Sequence, residues 1–226
     1  KSELLLFIEG SGHERRLAEI LHGTRDPANK TIWTSNSTAD YWKPKAKFDG
    51  DLGNVYGGMW RSWPSATGSI DQLKGLIEQI KSQPQGRRHI LSAWNPGELD
   101  NMALPPCHCF AQFYVTALGE LECLFHQRSA DWFLGVPFNI ASYGLLTHMI
   151  AQVCNLKVGR LIHSVGDAHV YSDHMDQCQL QLSREPFPAP QLWLNENITN
   201  IDQFKMDDIK LIGYQSHAAI AAPMAV

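Results

Sequence analysis

The chain has 226 residues, 44% of them apolar and 19% charged, with a formal net charge of −4. That is enough for one domain, residues 1–226, with a sizeable core. The acidic balance excludes the positive excess of a duplex nucleic-acid binder, although a few arginines suffice to hold one phosphate. The longest apolar runs are far too short to span a bilayer. Five scattered cysteines with no signal peptide before them read as reduced thiols in a cytoplasmic setting.

The chain opens at Lys1 straight into Ser2-Glu3-Leu4-Leu5-Leu6-Phe7-Ile8, which reads as the inside of a buried helix ended by Gly10. An N-terminal segment is therefore expected to be missing. Residues 15–21 form a second short helix, and 23–53 read as a long polar loop region. Ser69 is expected to cap a helix whose apolar residues Ile70, Leu73, Ile77 and Ile80 stop before Pro84. Strands follow at 89–94, 110–115 and 121–126, the last two joined around Leu118-Gly119. Residues 140–156 form a helix with Leu146, Met149, Ile150 and Val153 inward. A strand at 161–165, a helix at 170–183 and an edge strand at 191–194 complete an α+β domain with no internal repeat.

Leu104-Pro105-Pro106-Cys107-His108-Cys109 carries the first chemical signal. Two prolines fix the chain before a cysteine that enters a strand, a way to present a nucleophile. A buried small hydrophobe, or zinc held by Cys107, His108 and Cys109, are the alternatives. Residues 127–139 then bring Arg128, Ser129, Asp131 and Asn139 to a strand end and the loop beyond. An arginine there could both lower a thiol pKa and grip phosphate, or merely pair with Asp131. Arg87-Arg88 could clamp phosphate or form a solvated cluster. Gly166-Asp167-Ala168-His169-Val170-Tyr171 is expected to open a helix at an amide-rich terminus, with Asp167 capping as the plainer alternative. His169 and His174 lack same-face helical spacing, so no metal is expected.

Together these segments resemble the thymidylate synthase family. Residues 103–115 resemble its active-site cysteine motif. Residues 127–143, including Pro137-Phe138-Asn139-Ile140-Ala141-Ser142-Tyr143, resemble its nucleotide-binding motif, and 166–171 its sugar-binding motif. Arg87-Arg88, Ser92-Ala93-Trp94-Asn95, Glu98-Leu99 and Met102-Ala103-Leu104 continue the match, as does the tail Pro223-Met224-Ala225-Val226. The resemblance runs from Ser2 to the end and is strongest from Asp51 onward.

The resemblance implies a mixed β-sheet packed with helices, forming a homodimer through the sheet face. It implies that Cys107 adds to C6 of deoxyuridine monophosphate (dUMP), so that C5 accepts a one-carbon unit from 5,10-methylenetetrahydrofolate, with no metal, membrane or nucleic acid involved. Arg128 is expected near the sulfur and the phosphate, with Ser129, Ala130 and Asp131 in the same substrate segment. Arg87 and Arg88 would reach a neighbouring subunit's phosphate. Asn139 would read the base, and His169 and Tyr171 would bind the 3′-hydroxyl. Glu3 would organise water and proton transfer, and Tyr56 would help remove the C5 proton. Trp33, Leu104, Asp131 and the closing residues Ala225 and Val226 would contact folate.

Several residues depart from the pattern. Thr34 follows Trp33 where an acid or amide is usual, and Gly57-Gly58-Met59-Trp60 replaces a bulkier stretch. His126 replaces a common tyrosine, and Ala218-Ala219 a typical proline. Thr34 and Met59 are expected near the folate end, where altered water access would favour deoxyuridylate 5-hydroxymethylation instead. An inactive nucleotide-binding relative is a third reading.

Overall fold

A computed structural model of the chain describes residues 1–224. Four helices open the fold: α1 (Ser2–Ile8), α2 (Glu14–His22), α3 (Thr34–Ser37) and α4 (Gly57–Arg61). Leu4, Leu5, Leu6, Phe7 and Ile8 are all buried because α1 has neighbours on every side, α2 and α4 among them. Gly23 ends α2 in the left-handed conformation (φ 75°), where its amide donates to Glu19 O. The loop from Gly23 to Gly53 is irregular apart from α3, as its composition implies. At Gly53 (φ 69°) a Cβ would fall 2.0 Å from Asn101 O, so only glycine fits.

The hairpin β1 (Trp63–Ser65) and β2 (Gly68–Ile70) precedes α5 (Gln72–Ser82). The cap of α5 differs from the one expected. Asp71, not Ser69, caps the helix, its side chain accepting from Lys74 N at 2.9 Å. Ser69 and Ile70 belong to β2, so Ile70 is exposed while Leu73, Leu76, Ile77 and Ile80 are buried.

The main sheet runs in the order β3 (Ile90–Ser92), β4 (His108–Val115), β5 (Glu120–Asp131) and β6 (Lys157–His169). The first three are antiparallel, and β6 is parallel to β5, joined by helix α6 (Gly135–Val153). The mixed sheet under helices matches the expected α+β class. α6 begins five residues before the expected start. Pro137 lies in its first turn, where a missing N–H breaks no helical bond. β6 is far longer than residues 161–165, because parallel pairing with β5 continues to Asp131↔His169. Gly166 to His169 are therefore strand, not a helix terminus, and α7 (Met175–Leu182) starts well after residue 170. The antiparallel pair β7 (Gln191–Leu194) and β8 (Ile209–Ile212) closes the fold.

The sheet has two different faces. Leu121, Cys123, Phe125 and Gln127 of β5 point inward beneath Tyr143, Leu146 and Ile150 of α6. The opposite face carries Tyr114, Leu124 and Ile162 exposed, with Leu124 registered against both Gln112 and Ile162. No helix among the described residues is long and apolar enough to cross a membrane.

Candidate active site

Pro105 and Pro106 deliver Cys107 to the start of β4, and backbone bonds fix it on both sides. Its N–H donates to the Tyr56 hydroxyl at 2.8 Å, and its carbonyl accepts from Arg128 N at 2.8 Å. The Arg128 side chain returns to the same loop, with Nε donating to Pro106 O at 2.9 Å and Nη2 to Pro105 O at 3.0 Å. Its guanidinium lies 5.3 Å from the Trp94 ring centroid, so the cation is stacked as well as bonded. Cys107 is half-buried. Burial pushes its thiol above the ordinary value and the Arg128 charge pulls it back, with burial the larger effect. The expected lowering by arginine is thus real but outweighed.

Behind the thiol lies a buried aromatic stack. Tyr56 opens α4 at φ 31°, a strained value for a non-glycine residue. Its ring stacks on His108 at 4.0 Å and on Phe7 at 4.9 Å. His108 Nδ1 is 3.1 Å from the Tyr143 hydroxyl. Burial, with His163 nearby, lowers the His108 pKa to about 3, so the ring is neutral at physiological pH. This histidine packs rather than ligating metal. Among the described residues no group of three or more His, Cys, Asp and Glu side chains is placed to hold an ion. Tyr56 is likewise held neutral, chiefly by burial.

Glu3 accepts from Trp33 Nε1 at 2.6 Å, and burial raises its carboxyl pKa despite that bond. Trp33 is fixed in turn by the loop around it. Thr31 Oγ1 and Thr34 Oγ1 each donate to Glu14 Oε1 at 2.6 Å, and Glu14 pairs with Arg15. Thr34 therefore anchors the loop rather than facing a cleft. Met59 has no exposed surface and packs in the core. Thr34 and Met59, two of the departures from the family pattern, thus have structural roles.

The end of β5 supplies the remaining groups. Ser129 and Asp131 are half-buried and Ala130 is completely buried between them. Asp131 makes no ion pair with Arg128. Its Oδ1 accepts from Phe133 N at 3.0 Å and Leu134 N at 3.3 Å, turning the chain into α6. Asn139 lies on the first turns of α6, where its Oδ1 accepts from Gln127 Nε2 at 2.9 Å. His169 is the last residue of the β5–β6 pairing and Tyr171 lies just beyond it, rings edge-on at 5.1 Å. His169 Nδ1 is buried without a hydrogen-bond partner. Leu104 packs against the core. Arg87 and Arg88 are exposed before β3, and among the described residues their side chains make no hydrogen bond or ion pair. Ala225 and Val226 lie outside the described residues.

Sequence reading assigned no role to Trp94, Tyr143, Gln127 or His163. Gln127 left a signal: it is a polar residue continuing the inward alternation of Leu121, Cys123 and Phe125, and a buried amide requires partners.

One region of the fold thus gathers a thiol and a stacked guanidinium fixed to one loop with a buried amide and histidine on the adjoining elements. Residues 1–226 match the sequence profile of the family described as Thymidylate synthase. A curated protein named Thymidylate synthase, from Staphylococcus haemolyticus (strain JCSC1435), is 59% identical over 182 residues, covering 80% of this chain and 57% of that protein. The chain belongs to the thymidylate synthase family. It spans a little over half the length of that curated relative.

Proposed function

We propose that the chain is the catalytic part of a thymidylate synthase that methylates dUMP at C5. The observation that carries this reading is the tethering of Cys107 and Arg128 to one another and to Tyr56. Cys107 adds to C6 of the pyrimidine, making C5 nucleophilic. A dianionic phosphate beside Arg128 adds charge-assisted hydrogen bonds to the cation, with Ser129 alongside. Arg87 and Arg88 have unpaired guanidinium groups and can serve a second copy's phosphate. Asn139 faces the base, and His169, whose Nδ1 makes no hydrogen bond and lies 3.4 Å from Asp167 Oδ2, suits a sugar hydroxyl together with Tyr171. Burial favours the neutral form of Glu3 and raises its carboxyl pKa, which suits proton exchange with O4 through water. Tyr56 acts on the C5 proton through water.

When bound, 5,10-methylenetetrahydrofolate supplies the one-carbon unit and the hydride. Trp33 and Leu104 form walls for it. Asp131 commits Oδ1 to the turn before α6, leaving Oδ2 for an N–H donor of a pterin. The exposed apolar face of Tyr114, Leu124 and Ile162 suits a second copy of the chain, which makes the active form a dimer. Cytoplasmic localisation accompanies this reading.

The test mixes the protein with dUMP and methylenetetrahydrofolate and measures dihydrofolate. Accumulation with the native cysteine, and none with Cys107→Ala, is the expected result. Formation of labelled product without dihydrofolate would instead mean hydroxymethylation. If 5-fluoro-dUMP and folate leave no adduct on Cys107, the nucleophile assignment fails.

A further inference from the structure

Behind Asn139 runs a line of polar groups that the mechanism above leaves unused. Gln127, only 2% exposed, donates from Nε2 to Asn139 Oδ1 at 2.9 Å. Its other amide atom, Oε1, lies 3.0 Å from His163 Nε2. The imidazole is clamped by stacking on Phe125 at 4.3 Å with planes 7° apart, and Phe125 stacks on Tyr143 in turn. His163 cannot swing away without breaking that stack. Every direction along the line is therefore correlated. A carbonyl oxygen only accepts, so His163 Nε2 carries the hydrogen. Gln127 then turns its NH2 to Asn139, and Asn139 turns its own NH2 away from Gln127, toward the cleft.

The line has one other self-consistent setting. If the hydrogen sits on His163 Nδ1, Nε2 accepts from the Gln127 NH2. Gln127 then offers its carbonyl to Asn139, and Asn139 presents Oδ1 to the cleft. The first setting donates to a 4-carbonyl, as in uracil, while the second accepts from a 4-amino group, as in cytosine. In the first setting the spare lone pair of Asn139 Oδ1 remains for the uracil N3–H. Asn139 alone reads either base; something must choose its direction.

We infer that His163 makes that choice. It is a specificity-determining positioning residue whose Nε2–H, relayed through Gln127, orients Asn139 to accept a uracil nucleotide and reject a cytosine nucleotide. Burial, with His126 nearby, keeps the His163 pKa below its ordinary value. The ring is therefore neutral at pH 7 and its tautomer carries the information. The inference depends on the base-reading role proposed above for Asn139.

Two measurements test it. In the first, 15N NMR of the histidine-labelled protein reads the His163 tautomer directly. An Nε2–H ring is expected, and an Nδ1–H ring overturns the inference whether or not nucleotide binds. In the second, calorimetry compares dUMP and dCMP binding to the native protein, His163→Glu, His163→Trp and Asn139→Ala. A carboxylate only accepts and an indole N–H only donates. The native dUMP preference should thus fall about ten- to hundredfold in His163→Glu, mainly by gain for dCMP, and survive in His163→Trp. The ratio cancels charge effects on the phosphate common to both ligands.

If Asn139→Ala loses the preference while His163→Glu keeps it, the relay is wrong and the base-reading role stands. If Asn139→Ala keeps the preference, or dUMP does not bind the native protein, the underlying reading of the site falls with the inference. Loss of preference in both His163 variants would show a packing role only, and would also overturn the relay.

Discussion

Glu14→Ala should destabilise the protein by about 3–5 kcal/mol, more than most single substitutions. Glu14 is 1% exposed and Arg15 8%, so removing the carboxylate strands a buried guanidinium. The same change leaves the Thr31 and Thr34 hydroxyls without an acceptor. Arg15 Nη1 also donates to Asp26 O at 2.8 Å and Asn29 O at 3.1 Å, so the pair pins the whole loop that carries Trp33 to Glu3. Replacing both partners, as in Glu14→Leu with Arg15→Met, should recover part of the loss because no lone charge stays inside. It still forfeits the loop anchors, each worth about 1 kcal/mol. Urea unfolding would measure both variants, and hydrogen exchange at residues 24–34 would show whether the loop loosens first. The carboxyl also has a pH signature. Burial would raise its pKa, but hydrogen bonds from Arg15, Thr31 and Thr34 outweigh that and hold it below 4.5. Its contribution is complete above the unfolded value of 4.5 and is lost as pH falls through the lower folded value. A loss below about 1 kcal/mol in Glu14→Ala would mean that the pair is solvated and the positional argument fails.

Other outcomes follow from the same geometry. Because burial lowers His108 to about 3, protonation opposes folding. Stability is full above the unfolded pKa near 6.5 and declines below it by up to about 1.4 kcal/mol per pH unit. His108→Gln should flatten that limb in urea titrations, and an unchanged slope would locate the proton uptake elsewhere. Arg128→Ala removes the charge that opposes burial at Cys107. The midpoint of thiol alkylation against pH should then rise, and a fall would show that Arg128 does not act on the sulfur. Leu124→Lys with Ile162→Lys places charge on the exposed sheet face. On the proposed dimer reading, sedimentation should show a dimer for the native chain and a monomer for the variant, and an unaffected dimer would put the interface on another surface.

Much of the fold is legible in local chemistry. Apolar spacing locates α5 and α6, and the glycine at position 23 falls where α2 gives way to the polar loop, in the left-handed turn that glycine supplies. The mistaken expectations share one cause, which is strand pairing, local in the hairpin and long-range in the main sheet. Ser69 and Ile70 continue a helical pattern in the sequence, but the β1 hairpin captures them and leaves capping to Asp71. Residues 166–169 carry a glycine and a capping residue, the ordinary signs of a helix start. They are strand because β5 extends alongside them as far as Asp131. No short window of this sequence contains that information, because the residues that pair are far apart along the chain.

The site divides in the same way. Cys107, Arg128, Asn139 and His169 are visible as residue types in motifs. Their surroundings are not, because those depend on which face of a strand each neighbour occupies. β5 shows why. Its alternation turns Gln127 inward to His163 and Asn139, while the next residue, Arg128, reaches the opposite way to Pro105, Pro106 and Trp94. One strand thus holds the amide of Asn139 with one residue and the Cys107 loop with the next, at a spacing set by the covalent backbone. A one-residue slip in its pairing with β4 would exchange the two faces, burying a guanidinium and exposing the amide that directs Asn139. The His108↔Gln127 register that prevents this places His108 against Tyr56 and Tyr143 at the same time. Aromatic packing behind the thiol therefore fixes the strand register on which the proposed base reading depends, and under that proposal a substitution there should disturb nucleotide choice as well as stability.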